Sequence, residues 1–132
     1  MCLHIIPDKT CLEVVDFDTG IYRVYKYVLY RDKGFYSPCV EYQWVEGQHT
    51  INESLETHND FGEIRIGRGA FHFFTSADTA RRAARENFYR NAYLLEATVS
   101  LRDIIAIGPD DWGRTSVAVS SCMVKNLPTE NI

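Results

Sequence analysis

The side chains of this chain that could do chemistry gather where an apolar segment, residues 70–74, runs into an arginine-rich one. His72 is followed by Thr75 and Ser76 at the predicted start of a helix. The backbone N–H groups at a helix N-terminus are unpaired and lie at the positive end of the helix dipole, so a phosphate could dock here. The same pattern also fits a histidine at the edge of the core beside two capping residues.

Arginines are concentrated around this junction. Five of the ten arginines lie within 21 positions, and they are Arg65, Arg68, Arg81, Arg82 and Arg85. The planar guanidinium matches carboxylates and phosphates, so Arg81, Arg82 and Arg85 are predicted to bind an anionic ligand or partner. The alternative is a solvated helix face whose charges pair along the helix, as Asp78–Arg82 and Arg82–Glu86.

Two charged residues interrupt segments that otherwise look like buried strands. Arg23 follows Tyr22 in IYRVYKYVLY, residues 21–30, and Glu96 lies in YLLEATV, residues 93–99. A charge inside a strand needs a partner, because burying it alone is costly. Arg23 and Glu96 are therefore candidate catalytic residues, and Tyr22 is a candidate ligand contact. The alternative is an internal ion pair for each charge, Arg23 with an N-terminal acid and Glu96 with a helix arginine.

The cysteines and the remaining acids form no metal-binding pattern. Four cysteines and four histidines are spread without a CxxC pair or the spacing of a zinc site. Cys2 would become an N-terminal nucleophile if the initiator methionine were removed. Cys39 and Cys122 are typical of small buried hydrophobic residues. Asp110 and Asp111 lie in PDDWG and are predicted to form a turn, so we predict no metal site.

Composition limits the classes of function. The 132 residues carry a net charge of −4, which argues against general nucleic-acid binding. Residues 1–64 have five Lys and Arg against eleven Asp and Glu, whereas residues 65–132 have nine against seven. No apolar run is long enough to cross a membrane and no secretion signal is visible. These features predict a single cytoplasmic domain.

Alternating and apolar segments predict that most of the chain is β-structure. The predicted strands are residues 2–7, 11–15, 21–30, 35–36, 40–44, 62–66, 70–74, 93–99, 101–108 and 115–124. Large side chains on both faces of segment 21–30 predict a central strand that is covered on both sides. Residues 46–62 are polar and predict a long mobile loop with a short strand at 49–51, and residues 126–132 predict a flexible tail.

One helix is predicted, over about residues 76–90. Thr75 or Ser76 can cap its start, and Asn87 or Asn91 would end it. Apolar residues at helical spacing form the face that should pack on the sheet, and they are Ala77, Ala80, Ala84 and Phe88. One helix between runs of strands predicts an α+β fold, a mostly antiparallel sheet packed against the helix.

Two resemblances follow from these segments. The run GRGAFHFFTSADTARRAA, followed by YLLEATV and LRDIIAIGPDDWGRTSVAV, resembles a class of small phage and prophage proteins of unknown activity. In that class a strand and helix of the form GFHxF…S…DA precede a strand pair and a closing strand. The likeness spans about residues 20–125 and implies a host-directed protein that acts by binding and blocking.

The same segments also resemble the ADP-ribosyltransferase fold, including compact NAD-cleaving toxins. IYRVY matches its early strand, AFHFFTSADTARRA its strand-to-helix segment, and Glu96 its later acid. This resemblance implies that Arg23 contacts the NAD phosphates and that Glu96 orients the ribose. His72, Thr75 and Ser76 would then line the nicotinamide side.

We therefore expect a non-catalytic, cytoplasmic binding protein of phage or prophage type that needs no cofactor and blocks or sequesters a host protein or a nucleotide ligand. The arginine-rich helix and residues 46–62 would make the contact. The alternative is an enzyme that transfers ADP-ribose from NAD or hydrolyses NAD, using Arg23, His72 and Glu96. A solvent-facing aromatic patch would also allow a homodimer.

Overall fold

The computed structural model describes residues 12–38, 40–60, 63–66, 69–110 and 112–132, without the side chains of residues 58–60 and 63–66. Several sequence predictions lie outside these residues. They concern the strand at residues 2–7, the nucleophile Cys2, the buried Cys39, the turn residue Asp111 and the side chains of Arg65 and Arg68.

The described residues form one α-helix and a set of antiparallel strands, which confirms the predicted α+β single domain. The helix is α1 (Ala77–Glu86). The strands are β1 (Glu13–Asp16), β2 (Ile21–Arg31), β3 (Gly34–Tyr36), β4 (Gln43–Trp44), β5 (Gly47–Thr50), β6 (Thr57–Asp60), β7 (Glu63–Ile66), β8 (Phe71–Phe74), β9 (Ala92–Ser100), β10 (Ile104–Pro109), β11 (Thr115–Val119) and β12 (Ser121–Val124).

β2 is the central strand of the sheet, as its sequence predicts. One of its edges pairs with β9 along residues 21–29. The other edge pairs in turn with β1, with β8 at Tyr25 and Phe74, and with β3. The β2–β3 hairpin turns at Asp32 and Lys33, both with positive φ, as a two-residue hairpin with the favoured twist requires.

The sheet is rolled, and Ser120 shows why. The strands follow the order β10-β11-β8-β2-β9-β12-β5. Only Ser120 separates β11 from β12 along the chain, yet three strands lie between them in the sheet. One residue can join these strands only if the sheet curls back on itself. The prediction of a single strand over 115–124 was therefore wrong, and the Ser120 N–H donates to the Asp103 carbonyl at this crossing.

The inside of the roll is the hydrophobic core. Its main cluster takes residues from strands that are far apart in the sheet order, including Ile107 of β10 and Val124 of β12. Trp44 of β4 is 1% exposed, and its ring centroid lies 5.3 Å from that of Phe71 and 5.8 Å from that of Phe73. Burial of these apolar side chains is the main force that holds the roll closed.

The outside of the roll carries α1. Tyr22, Val24 and Val28 of β2 belong to the inner cluster, whereas Tyr25 is buried outside that cluster. Tyr27 shares the face of Tyr25 and packs on Tyr89, just after α1, with ring centroids 5.8 Å apart. The helix therefore covers the outer face of β2, and its contacts extend to β8 and β9.

Two further segments differ from their predictions. β10 begins only at Ile104, because a single 3₁₀ turn occupies Leu101–Asp103, the start of the predicted strand 101–108. Residues 46–62, predicted as a long loop with a short strand at 49–51, contain β5, which overlaps that strand and pairs with β12. They also contain β6, which pairs with β7 and was not predicted. The mobility of residues 46–62 stays a prediction.

The C-terminal segment lies along β9. The Leu94 N–H donates to the Glu130 carbonyl and the Ile132 N–H donates to the Ala92 carbonyl. The end of the predicted tail is therefore docked on the sheet, next to α1. The flexibility of residues 126–132 as a whole stays a prediction.

Candidate functional site

The start of α1 and its buried side place the arginines. Ser76 is the N-cap, and its Oγ accepts the Thr79 N–H at 3.2 Å, so Ser76 rather than Thr75 is the cap. Three small residues face the sheet, and they are Ala80, Ala83 and Ala84. Helical spacing then turns Asp78, Arg82 and Arg85 to the opposite, outward side. We call the outward residues Asp78, Arg81, Arg82, Arg85 and Glu86 the arginine face.

The end of α1 is a Schellman motif. Of the two predicted ends, Asn87 rather than Asn91 is the C-cap, so α1 is shorter than the predicted 76–90. The Phe88 N–H donates to the Arg85 carbonyl. The Tyr89 N–H donates to the Ala84 carbonyl. These two bonds require the residue after the cap to adopt the left-handed conformation, and Phe88 does so with φ of 58°.

Ion pairs fasten α1 on both sides. Arg81 donates to Asp78 Oδ1 at 2.7 Å and to both carboxylate oxygens of Glu130, at 2.7 and 3.0 Å. The hydrogen bonds to Glu130 and Asp78 raise the pKa of Arg81, and that from Arg81 lowers the pKa of Glu130. On the other side, Glu86 pairs with Arg114, which follows the β10–β11 turn. The helix is thus tied to the C-terminal segment and to that turn.

These ion pairs leave two arginines available. The predicted pairs Asp78–Arg82 and Arg82–Glu86 do not form, because both acids are held by other arginines. Among the residues that the structure describes, no carboxylate pairs with Arg82. Arg85 is also exposed, and its charge helps Arg81 to lower the pKa of Glu130. Arg82 and Arg85 therefore present cationic groups to solvent.

Two exposed aromatic side chains adjoin the arginine face. Phe88 is 89% exposed, so the prediction that it packs on the sheet was wrong. The reason is local, since the helix ends at Asn87 and the left-handed backbone turns residue 88 away from the helical face. Trp112 is 80% exposed in the turn before Arg114. Because Arg114 pairs with Glu86, this turn lies beside the end of α1 that carries Phe88.

We predict that Phe88→Gly is more stable than the wild-type protein. A left-handed backbone costs a residue with a Cβ about 1–2 kcal/mol, and glycine avoids this cost while losing ~0.5–1 kcal/mol of unfolded-state entropy. The 89% exposed ring contributes little packing that could be lost. A gain of up to about 1 kcal/mol in the free energy of unfolding should appear in urea denaturation. Phe17→Gly, also at an exposed phenylalanine (83%), is the control and should show no gain.

The two candidate catalytic residues lie together on the outer face of the sheet. Arg23 Nε is 3.5 Å from Glu96 Oε1, and Arg23 Nη1 donates to Glu13 Oε1 at 2.6 Å. The Tyr25 hydroxyl donates to Glu13 Oε2 at 2.6 Å. Burial and this hydrogen bond raise the pKa of Tyr25 to about 12. The expected ion pair of Arg23 with an N-terminal acid is confirmed, whereas the expected partner of Glu96, a helix arginine, is wrong.

This cluster predicts a pH dependence of stability. The hydrogen bond from Tyr25, together with Arg23, lowers the pKa of Glu13 from its ordinary value of 4.5. A carboxyl with a lowered folded-state pKa stabilises the fold above its unfolded pKa and loses this contribution as the pH falls. For such an exposed pair the contribution is about 0.2–1 kcal/mol.

We therefore expect Glu13→Gln to lower the free energy of unfolding at about pH 7 and to have a vanishing effect at about pH 3. Urea denaturation across this range measures the difference. A constant difference between the two proteins at all pH values would contradict the assignment.

The remaining predicted contacts are dispersed. Tyr22 points into the core and borders an open, mostly apolar cavity of about 1080 Å³ near Phe17. His72 is half-buried on β8, and the antiparallel pairing of Tyr25 with Phe74 places it level with Tyr27 rather than with Arg23. Thr75 is buried. The structure thus brings Arg23 and Glu96 together but leaves Tyr22 on the other face.

Sequence reasoning missed a cluster on the inner face around Lys26. The Lys26 ammonium lies 5.1 Å from the Trp44 ring centroid and 5.5 Å from that of Phe73. Burial raises the pKa of the nearby Cys122 thiol to about 12, which Lys26 partly opposes. His49 pairs opposite Cys122, but both of its ring nitrogens make hydrogen bonds elsewhere. The sequence signal for this cluster was the period-2 spacing of residues 24, 26 and 28, which places Lys26 on the same strand face as Val24 and Val28.

The described residues contain no group of three or more His, Cys, Asp or Glu that could hold a metal ion. Asp110 forms the predicted turn, since its Oδ1 accepts the Trp112 and Arg114 N–H groups. In the same part of the chain, no helix has the length and apolar content needed to cross a membrane. Comparison with known proteins finds no matching family model, no similar curated protein and no similar solved structure.

Proposed function

We propose that this protein is a non-catalytic, cytoplasmic binding protein of the small phage or prophage type, which blocks or sequesters a host ligand. The ligand carries carboxylates, as on a protein, or phosphates, as on a nucleotide. Arg82 and Arg85 make the contact. Exposed guanidinium groups at fixed positions are suited to such oxyanions.

The observation that carries this proposal is the way α1 is held. The helix is fastened through Arg81 to Glu130 and through Glu86 to Arg114, and Arg82 is left without a carboxylate among the described residues. Ion pairs that only stabilised the helix would use Arg82 with Asp78 or Glu86, which are one turn away. Instead, Glu86 pairs with Arg114 outside the helix, and Asp78 pairs with Arg81, which also binds Glu130. Both acids are therefore occupied, and Arg82 stays directed outward.

The alternative function is an NAD-dependent ADP-ribosyltransferase or NAD hydrolase. The observation in its favour is the proximity of Arg23 and Glu96. However, Arg23 is held by Glu13, and the cavity beside Glu96 measures about 250 Å³. Small-molecule sites usually range over about 300–1,000 Å³. Calorimetric titration with NAD⁺ tests this alternative, which requires saturable binding and nicotinamide release that Glu96→Gln abolishes.

We predict that the double charge reversal Arg82→Glu with Arg85→Glu abolishes ligand capture. The immobilised protein is incubated with bacterial lysate, and retained proteins and nucleotides are quantified by mass spectrometry at low and high salt. Retention should fall at least about tenfold in the double variant, because attraction to an oxyanion becomes repulsion. It should also fall with salt in the wild type.

The matched control is Arg102→Glu, which reverses an exposed arginine outside α1. We expect this variant to retain the same ligands as the wild type. If the wild type, the control and the double variant retain equal amounts of ligand, the arginine face is not the binding site.

A further inference from the structure

We infer that the arginine face, together with Phe88 and Trp112, is a protein–protein interface for an acidic segment that also carries apolar side chains. This inference rests on the proposed function and specifies its ligand as a protein. Arg82 and Arg85 would bind carboxylates of the segment, while the two aromatic rings would receive its apolar side chains. Arginine, tryptophan and phenylalanine are the residue types enriched at such interfaces.

The residue at position 88 is unusual for its place in the helix end. The position after a helix C-cap in a Schellman motif is usually glycine, because the left-handed conformation strains other residues. Here it is phenylalanine at φ 58°, with a ring that is 89% exposed. The free protein therefore bears backbone strain and an exposed aromatic ring without a packing gain. A partner that covers the ring would bury its apolar surface, and this burial would offset the backbone strain.

The backbone segments that carry the two rings are held in place. Phe88 lies two residues after Glu86, and Trp112 lies two residues before Arg114. The Glu86–Arg114 ion pair joins these segments. The turn that carries Trp112 is closed by hydrogen bonds to Asp110, from the Trp112 N–H at 2.8 Å and the Gly113 N–H at 3.1 Å. Aromatic anchors that are fixed before binding lose little entropy on association.

The charge of this face favours an acidic ligand. Asp78, Glu86 and Glu130 are in ion pairs with Arg81 or Arg114, and Asp110 accepts backbone N–H groups of its own turn. Among the described residues, Arg82 and Arg85 are in no ion pair. The whole chain, in contrast, has a net charge of −4. A long polyanion such as a nucleic acid would extend past this face and be repelled by the negative charge of the rest of the protein. A short acidic segment would contact this face alone.

The experiment is selection of a display library of random 16-residue peptides on the wild-type protein, followed by sequencing of the bound pool. We expect enriched peptides to combine several Asp or Glu with at least one aromatic or aliphatic residue. The most enriched peptide, made synthetically, should bind at least about tenfold more weakly to Phe88→Gly and to the Arg82→Glu, Arg85→Glu double variant.

Matched controls separate the interface from general effects. Phe17→Gly and Arg102→Glu, which alter an exposed phenylalanine and an exposed arginine elsewhere, should bind the peptide like the wild type. Urea denaturation confirms that Phe88→Gly is folded, so its weaker binding reflects the lost ring.

Absence of enrichment, or enrichment of neutral or basic peptides, would overturn the inference. Full binding by Phe88→Gly would overturn it as well. The proposed function is judged separately, by lysate capture: nucleotide capture that depends on Arg82 and Arg85 would uphold that function while this inference fails.

Discussion

A Trp44→Ala variant is expected to lose about 3–5 kcal/mol of unfolding free energy, because the deleted indole leaves a cavity in the centre of the core. Trp44 is 1% exposed and lies against Phe71, Phe73 and Tyr42. Its Nε1 donates to Ser37 Oγ at 2.8 Å, so the substitution also removes the shorter of two hydrogen bonds to a buried hydroxyl, the other coming from Lys26 Nζ at 3.4 Å. Trp44 therefore bridges β4 and β8 across the inside of the roll.

Thermal unfolding with urea denaturation measures this loss, which corresponds to a midpoint lower by about 10–20 °C. The chain contains two tryptophans, so Trp112→Ala is the matched control. Trp112 is 80% exposed, and its removal should change stability by no more than ~0.5 kcal/mol. Equal effects of the two substitutions would mean that Trp44 does not close the roll.

Gly69→Ala is expected to cost about 2–4 kcal/mol, from overpacking and from a strained backbone together. Gly69 has φ of 86°, a conformation that favours glycine. A Cβ on this residue would lie 2.5 Å from the Ser54 carbonyl oxygen and 2.6 Å from Leu55 Cα. Both are backbone atoms, so the segment that holds them would have to move away from the start of β8.

Gly113→Ala separates the two contributions. Gly113 also has positive φ, 75°, but a Cβ there would meet nothing within 4 Å. We therefore expect only the backbone cost at this position, about 1 kcal/mol in urea denaturation. If Gly69→Ala lowers the free energy of unfolding no more than Gly113→Ala does, residues 54 and 55 can move away without an energetic penalty. In that case they do not restrict the segment that leads into β8.

These substitutions also bear on the function. α1 packs on β2, β8 and β9, so the arginine face depends on an intact roll although its own residues are exposed. A binding assay on Trp44→Ala would therefore report unfolding, whereas Phe88→Gly and the charge reversals change the face alone. This is why the functional experiments use surface variants.

Local pattern was sufficient for several features of this protein. The alternation in residues 21–30 identified the central strand. Capping residues limited the start of α1 to Thr75 or Ser76 and its end to Asn87 or Asn91, and the structure uses Ser76 and Asn87. The need to neutralise Arg23 predicted an ion pair with an N-terminal acid, which is Glu13. Periodicity, capping and charge neutralisation act over a few residues or follow from residue type, so the sequence alone determines them.

Only the tertiary structure decided the layout of the candidate site. Glu86 pairs with Arg114 across 28 positions, and Arg81 binds both Asp78 and, across 49 positions, Glu130. Neither Asp78 nor Glu86 is therefore left for Arg82. Ser120 divides one continuous apolar pattern into two strands on opposite sides of the roll. Such outcomes depend on which distant segments come into contact when the sheet closes. Periodicity along the chain shows which face of a helix or strand is buried, but it does not show which distant segment packs against that face.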